Sequence, residues 1–141
     1  MNQPALSEAD ICDQYITPAI IAAGWDMHTQ IRREFSFTAG RIIVHGQLAA
    51  RSQRKRADYV LFYQPNLPIA VVEAKDNTHP VGGGMQQALA YAEALDVPCV
   101  FSSNGDAFLY HDRTGLAQPV EQTLALHTFP TPEALWQRYR A

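Results

Sequence analysis

Two apolar, β-branched runs dominate the middle of the chain, residues 56–63 and 68–75, and the four residues between them include Pro65 and Asn66. Runs of this length and spacing predict a β-hairpin. With a four-residue loop, Tyr63 stands opposite Pro68 and Asp58 falls opposite Glu73. Directly opposed residues of an antiparallel pair share a face, with Cβ atoms roughly 4.5–5.5 Å apart. Lys75 joins that face through the two-residue strand period. The other expected members, Val60, Phe62, Ile69 and Val71, are apolar. Two carboxylates and an ammonium thus gather at one end of a strand pair whose middle is core. Facing carboxylates beside a dry core repel each other, and a divalent cation removes the conflict. Hard oxygen ligands from one or two carboxylates suit magnesium. A plain ion pair between Lys75 and Glu73 or Asp58 at a strand end satisfies the same residues, and a one-residue slip moves a partner off the face.

The rest of the chain supplies elements around that hairpin. Ser7-Glu8-Ala9-Asp10 carries the serine and the acid of a capping box, so a helix is expected from Ser7. Thr17-Pro18 kinks it or caps a second one, and Gly24 ends it. Residues 30–37 alternate as a strand, Thr38-Ala39-Gly40 is expected to turn it, residues 41–47 to form its hairpin partner, and residues 51–55 a loop. A helix follows Gly82-Gly83-Gly84, with Met85, Ala88, Leu89 and Ala92 on one stripe, and closes near Asp96. Strands at 99–102 and 107–110 flank Asn104-Gly105, a tight-turn dipeptide. Thr131-Pro132-Glu133 opens a last helix carrying Leu135, Trp136 and Tyr139. This order argues for one α/β or α+β domain with a mixed sheet over residues 1–141.

With 141 residues, 47% apolar and 18% charged, the chain has the size of one globular domain and excludes a disordered tail, collagen or a disulfide mini-protein. Cys12 and Cys99 form no C-x-x-C pair and are expected as buried small hydrophobes. No apolar run reaches the roughly 18 residues of a membrane span, which leads to an expected cytoplasmic location without membrane contact. The net charge of −3 conceals a division. Residues 32–56 carry seven cations against Glu34, a local +6, and the remainder is −9. Screening confines fields to about 8–10 Å, so such a segment either holds phosphates or is a solvated charged loop.

Taken together, Asp58, then Glu73-Ala74-Lys75 at the end of the next strand, then a helix with Gln87 and Tyr91, resemble the PD-(D/E)xK nuclease superfamily with its Q-x-x-x-Y extension. Ser7-Glu8-Ala9-Asp10-Ile11, Ile16-Thr17-Pro18-Ala19-Ile20, Lys55-Arg56-Ala57-Asp58-Tyr59-Val60-Leu61, Val72-Glu73-Ala74-Lys75-Asp76 and Gln86-Gln87-Ala88-Leu89-Ala90-Tyr91-Ala92 are similar to the N-terminal region of type I restriction enzyme restriction subunits, the EcoEI type above all. Ala57 replaces the proline that names the superfamily, a position that varies among its members.

The resemblance implies an α/β restriction-endonuclease-like core with a mixed central sheet flanked by helices. It implies Mg²⁺-dependent hydrolysis of double-stranded DNA. Asp58, Glu73 and the Ala74 carbonyl would hold the metal, Glu8 would be a further candidate ligand, Lys75 would act on the attacking water and the phosphate, and Gln87 and Tyr91 would stand beside the site. Gln87 and Tyr91 are also explained by helix packing, and Glu8 by its place in the cap. Arg51, Arg54, Lys55 and Arg56 are the expected DNA contacts. His79 is expected as a solvent-exposed loop residue. The glycine triplet is not followed by Lys-Ser/Thr, so it is no nucleotide-binding P-loop. ATP would belong to a translocase motor elsewhere in a larger subunit, with modification and specificity subunits as partners. Alternative readings are a non-catalytic DNA-binding or docking module on the same fold, and a stand-alone resolvase or repair nuclease.

Overall fold

A computed structural model describes residues 5–39, 43–44, 47–48, 53–115 and 119–140. The capping box closes as expected: the Ser7 hydroxyl accepts the Asp10 N–H, and the Asp10 carboxylate accepts the Ser7 N–H, opening α1 (Glu8–Ile11). A π-helical turn, Cys12–Ile16, then runs directly into α2 (Thr17–Ala22). Pro18 lies in the first turn of α2, just after the Thr17 N–H closes the π turn onto the Cys12 carbonyl, and offers no N–H of its own to continue the ladder. Thr17 is not the expected cap; its hydroxyl sits 2.6 Å from the Tyr59 hydroxyl. The chain continues through β1 (Ile31–Ala39), β2 (Ile43–Val44), β3 (Gln47–Leu48), β4 (Gln53–Gln64), β5 (Leu67–Ala74), α3 (Met85–Leu95), β6 (Cys99–Ser103), β7 (Ala107–Asp112), β8 (Glu121–Ala125), a 3₁₀ turn at Leu126–Thr128 and α4 (Pro132–Arg140).

Six strands form one mixed sheet in the order β1-β4-β5-β6-β7-β8. Its parallel pair is β5–β6, with α3 as the crossover. This is the mixed α/β sheet with flanking helices that the residues led us to expect. One face carries Tyr59, Leu61, Val72 and Phe101, covered by Ile11, Ile16 and Ile20 of the N-terminal helical run and by Leu135 of α4. On the other face Val60, Val71 and Val100 meet Met85, Ala88, Tyr91 and Ala92 of α3. Cys12 and Cys99 are buried and free. Among the described residues no helix is long and apolar enough to cross a membrane.

Several local expectations need correction. β1 pairs with β4, not with residues 41–47, and it runs through Ala39 without the expected turn. Within 41–47 the described residues belong to the small β2–β3 pair, Ile43 opposite Leu48 and Val44 opposite Gln47. Residues 53–55, expected in a loop, begin β4. The β4–β5 connection is two residues long, Pro65 and Asn66, with Asn66 left-handed at φ 67°. Phe62 pairs with Pro68 and Gln64 with Leu67, so Tyr63 and Ile69 are both displaced from the ladder. Proline offers no N–H, and the ladder breaks around it. Ile69 consequently joins the Tyr59 face of the sheet instead of the expected Val60 face. The two slips cancel: Tyr59 pairs with Val72, Val60 with Val71 and Leu61 with Ala70, the register that sets Asp58 beside Glu73. Asn104-Gly105 lies within a three-residue connection between β6 and β7, with Gly105 at φ 94°, and β8 was not anticipated.

Candidate active site

β4 outruns β5. Beyond Tyr59 it pairs with β1 alone: Ala57 with Phe35, Arg56 with Ser36, Lys55 with Phe37 and Arg54 with Thr38. Where β4 and β5 part company, side chains replace the missing ladder bonds. The Asp58 N–H donates to Glu73 Oε2 at 2.6 Å, and the Ala74 N–H donates to Asp58 Oδ2 at 2.8 Å. Each carboxylate therefore caps the other strand's backbone. The β1–β4 ladder also skips the Glu34–Asp58 position, and Glu34 is left-handed at φ 49°. A regular strand keeps residues two apart on one face. Here Tyr59 packs in one core and Ala57 in the other, so β4 changes face at Asp58. A non-glycine left-handed residue costs roughly 1–2 kcal/mol and persists where its surroundings fix it.

Glu73 is 3% exposed. Burial, with the Asp58 charge next, pushes its carboxyl up to about 8; the Asp58 N–H and Lys75 pull the other way. Asp58 is also raised, by burial first, against the Ala74 N–H and the charges of Arg33 and Lys75. Lys75 influences both carboxylates yet forms no ion pair with a described residue. The plain strand-end ion pair is therefore not what this end of the sheet contains.

The helix that covers the site comes unusually close. A Cβ on Gly84 would lie 3.2 Å from Ser102 Oγ and 3.3 Å from Glu73 Cβ, and one on Gly83 would lie 3.1 Å from the Pro80 carbonyl oxygen. Ser102 stands beside Glu73 in the parallel β5–β6 register. Its buried hydroxyl accepts the Gly84 N–H at 3.0 Å and donates to the Val81 carbonyl at 2.8 Å, fixing the start of α3. Sequence reasoning missed Ser102, which reads as one more small residue in a strand. The glycine triplet, which is no phosphate loop, serves close packing of α3 against β5 and β6.

From α3, the Gln87 amide donates to the Tyr91 hydroxyl at 2.6 Å. Tyr91 is buried, its ring edge-on to Phe37 at 5.2 Å. Burial raises the Tyr91 hydroxyl, to which the charges of Glu73 and Asp58 also contribute. Glu8 adds a repulsive charge to Glu73 from exposed α1. Among the described residues, however, no three His, Cys, Asp or Glu side chains gather as a metal cluster. The structure thus brings together Asp58, Glu73, Ala74, Lys75 and Tyr91, holds Gln87 only through Tyr91, and forms no metal cluster that includes Glu8 among the described residues.

The basic residues sit on the β1–β4 arm. Lys55 pairs with Phe37, whereas Arg54 and Arg56, one residue to either side, belong to the opposite face, and Arg56 lies 3.9 Å from Glu34. They approach Asp58 along one strand without forming one patch. Arg51 lies outside the described residues. His79, in the exposed loop after Lys75, contacts Asp76 Oδ1 at 3.1 Å.

The donor set fits a hard divalent cation. It consists of two carboxylates with one oxygen each held by backbone N–H, a buried charge conflict that a cation would relieve, and no nitrogen or sulfur ligand among them.

Residues 42–118 match the family described as the type I restriction enzyme R protein N terminus. Over 140 residues the chain is 47% identical to the type I restriction enzyme EcoAI endonuclease subunit of Escherichia coli, covering 99% of this chain and 17% of that subunit. A fragment structure described as an HsdR subunit of a type I restriction enzyme from Vibrio vulnificus YJ016 superimposes with a TM-score of 0.79 at 43% identity, covering 97% of this chain and 26% of that one. The chain thus spans a minor part of the length of either relative. A family match over more than half of the residues, with identity close to one in two along nearly the whole chain, establishes that this protein belongs to the family of type I restriction enzyme R protein N termini.

Proposed function

We propose that this chain is the Mg²⁺-dependent DNA endonuclease module of a type I restriction enzyme, hydrolysing double-stranded DNA after an ATP-driven motor elsewhere in the subunit has translocated it. The observation that carries the reading is the reciprocal capping of β4 and β5 by Asp58 and Glu73, which holds two carboxylates together at the cost of raising both. Like charges facing each other in a low-dielectric site destabilise a fold unless a ligand uses them. Asp58 and Glu73, with the adjoining Ala74 carbonyl, would hold the cation. Bound there, it would polarise the scissile phosphate and acidify the attacking water.

The chain's own residues do the rest. Lys75 projects positive charge onto the same space and forms no ion pair with a described residue, so its ammonium stabilises charge developing on the phosphate and orients the water. Tyr91, whose hydroxyl feels the charges of Glu73 and Asp58, accepts the Gln87 amide N–H, and Phe37 packs edge-on against the Tyr91 ring. Arg54, Lys55 and Arg56 on the arm contact the DNA backbone, each contact adding to the salt dependence of binding. Modification and specificity subunits would complete the enzyme. A docking or DNA-binding module without catalysis gives no use for the raised Glu73.

The test is cleavage of supercoiled plasmid by the full enzyme with Mg²⁺ and ATP, comparing wild type with Asp58→Ala and Lys75→Ala. Loss of cleavage with retained ATP hydrolysis supports the assignment. Cleavage that survives both substitutions overturns it.

A further inference from the structure

Along the outer edge of the sheet, on the β1 side, lies a cleft of about 580 Å³ lined in part by Arg32, Glu34, Phe35, Ser36, Phe62 and Asn66. That volume falls within the roughly 300–1,000 Å³ of small-ligand sites. Its apolar wall is made by Phe35 and Phe62, both half-buried, with ring centroids 5.8 Å apart and planes inclined at 60°. The two arginines beside it differ. Arg33 is engaged, 3.2 Å from Asp13 and 4.9 Å over the Tyr59 ring. Arg32 is exposed and forms no ion pair with a described residue. Glu34 closes the end nearest the candidate active site, close enough to raise Asp58 by its charge.

We infer that this cleft seats one unpaired nucleotide of the DNA strand that continues to Asp58 and Glu73, its base against Phe35 and Phe62 and its phosphate at Arg32. The inference rests on the nuclease reading above. Aromatic side chains bind bases of any sequence by stacking, and an unpartnered guanidinium beside them holds the backbone. The Glu34 carboxylate, its charge shared with Arg56 at 3.9 Å, offers an acceptor to base amino groups. A base can reach the two rings only when it has left the duplex stack, so the cleft selects DNA carrying an unpaired nucleotide.

The test is binding in EDTA at low salt by the intact chain, using two DNA probes. One is a fully paired duplex; the other carries 2-aminopurine in a short single-stranded gap. The variants are Arg32→Ala, Phe62→Leu and, as a separate arm, Arg54→Ala with Arg56→Ala. The inference predicts that wild type binds the gapped probe about tenfold tighter than the paired one and quenches its fluorescence. Phe62→Leu abolishes the preference and the quenching. Arg32→Ala, at an exposed position that leaves folding intact, lowers the salt slope on the gapped probe by about one. Equal binding of both probes, unchanged by Arg32→Ala and Phe62→Leu, overturns the inference. If the arm variant then still weakens duplex binding, the nuclease reading stands without the cleft. Wild type that binds neither probe contradicts both.

Discussion

Two acidic side chains in this fold are equally buried and have opposite fates. Glu73 and Asp112 are each 3% exposed. Asp112, at the end of β7, accepts hydrogen bonds from the Thr114 N–H and hydroxyl and the Tyr110 hydroxyl, and pairs with Arg138 of α4 at 3.2 Å. Burial opposes its ionisation, yet the Thr114 bonds and Arg138 hold its carboxyl below the ordinary aspartate value. Among the described residues Glu73 has one donor, the Asp58 N–H, and it faces a second carboxylate; it is pushed up to about 8. Burial alone therefore does not mark a functional acid. What distinguishes Glu73 is that the protein supplies too few partners for its charge, and the missing partner is what a cation would provide.

That contrast can be broken most sharply through activity. Glu73→Gln or Asp58→Asn should lower the cleavage rate of the assembled enzyme by about a thousandfold, the scale of several kcal/mol of lost transition-state stabilisation. Asp112→Asn should leave the rate per folded molecule unchanged. Equal losses from both acids would erase the distinction. Stability should show the reverse order. In urea melts of metal-free protein at pH 8, Asp112→Asn costs about 2–3 kcal/mol, because the asparagine oxygen still serves the Thr114 donors while its amide nitrogen, itself a donor, replaces the charged Oδ2 that Arg138 and Tyr110 contact. Glu73→Gln keeps an oxygen for the Asp58 N–H, removes a repelled charge, and leaves stability equal or higher.

The pH profiles of metal-free stability separate the two further. Glu73 holds its proton in the folded state up to about 8, while the unfolded chain releases it near the ordinary 4.5. Folded protein thus binds more protons across that window, and stability falls as pH rises through it. Asp112, with its depressed value, contributes stability above the ordinary 3.8 that is lost as pH falls through the folded value. Glu73→Gln should flatten the first limb and Asp112→Asn the second; a first limb that persists in Glu73→Gln contradicts the assignment. The smallest effect expected is from Gly84→Ala, whose methyl meets Ser102 Oγ at 3.2 Å and Glu73 Cβ at 3.3 Å. A stability loss of about 1 kcal/mol, with a reduced cleavage rate, would show that α3 is packed against the site by design of the backbone.

Glu73 could be found from sequence and Asp112 could not. The hairpin runs are long, apolar and β-branched, so register followed from pattern, and charged residues at its end stood out against a core face. Even so, the register survived only because the displacements at Tyr63 and Ile69 cancel around Pro68, a backbone effect that side-chain pattern does not encode. Asp112 has local partners in Thr114 and Tyr110, but its pairing with Arg138, 26 residues away on another element, is set by tertiary packing. The same limit hid the β1–β4 pairing. Hairpin reasoning prefers the nearest strand, and residues 41–47 are nearer than 53–64. β8 escaped because its residues at a sheet edge are half-exposed and polar. The change of face at Asp58 falls opposite Glu34, whose left-handed conformation nothing about glutamate announces.

The central claim is that a divalent cation takes the place of the proton on the Glu73–Asp58 pair. Calorimetric titration of Mg²⁺ into the metal-free chain at pH 7, in two buffers of different ionisation enthalpy, measures that exchange directly. The account predicts release of about one proton per cation bound by wild type, and none by Glu73→Gln. Cation binding by wild type with no proton released, or the same release from Glu73→Gln, would contradict it.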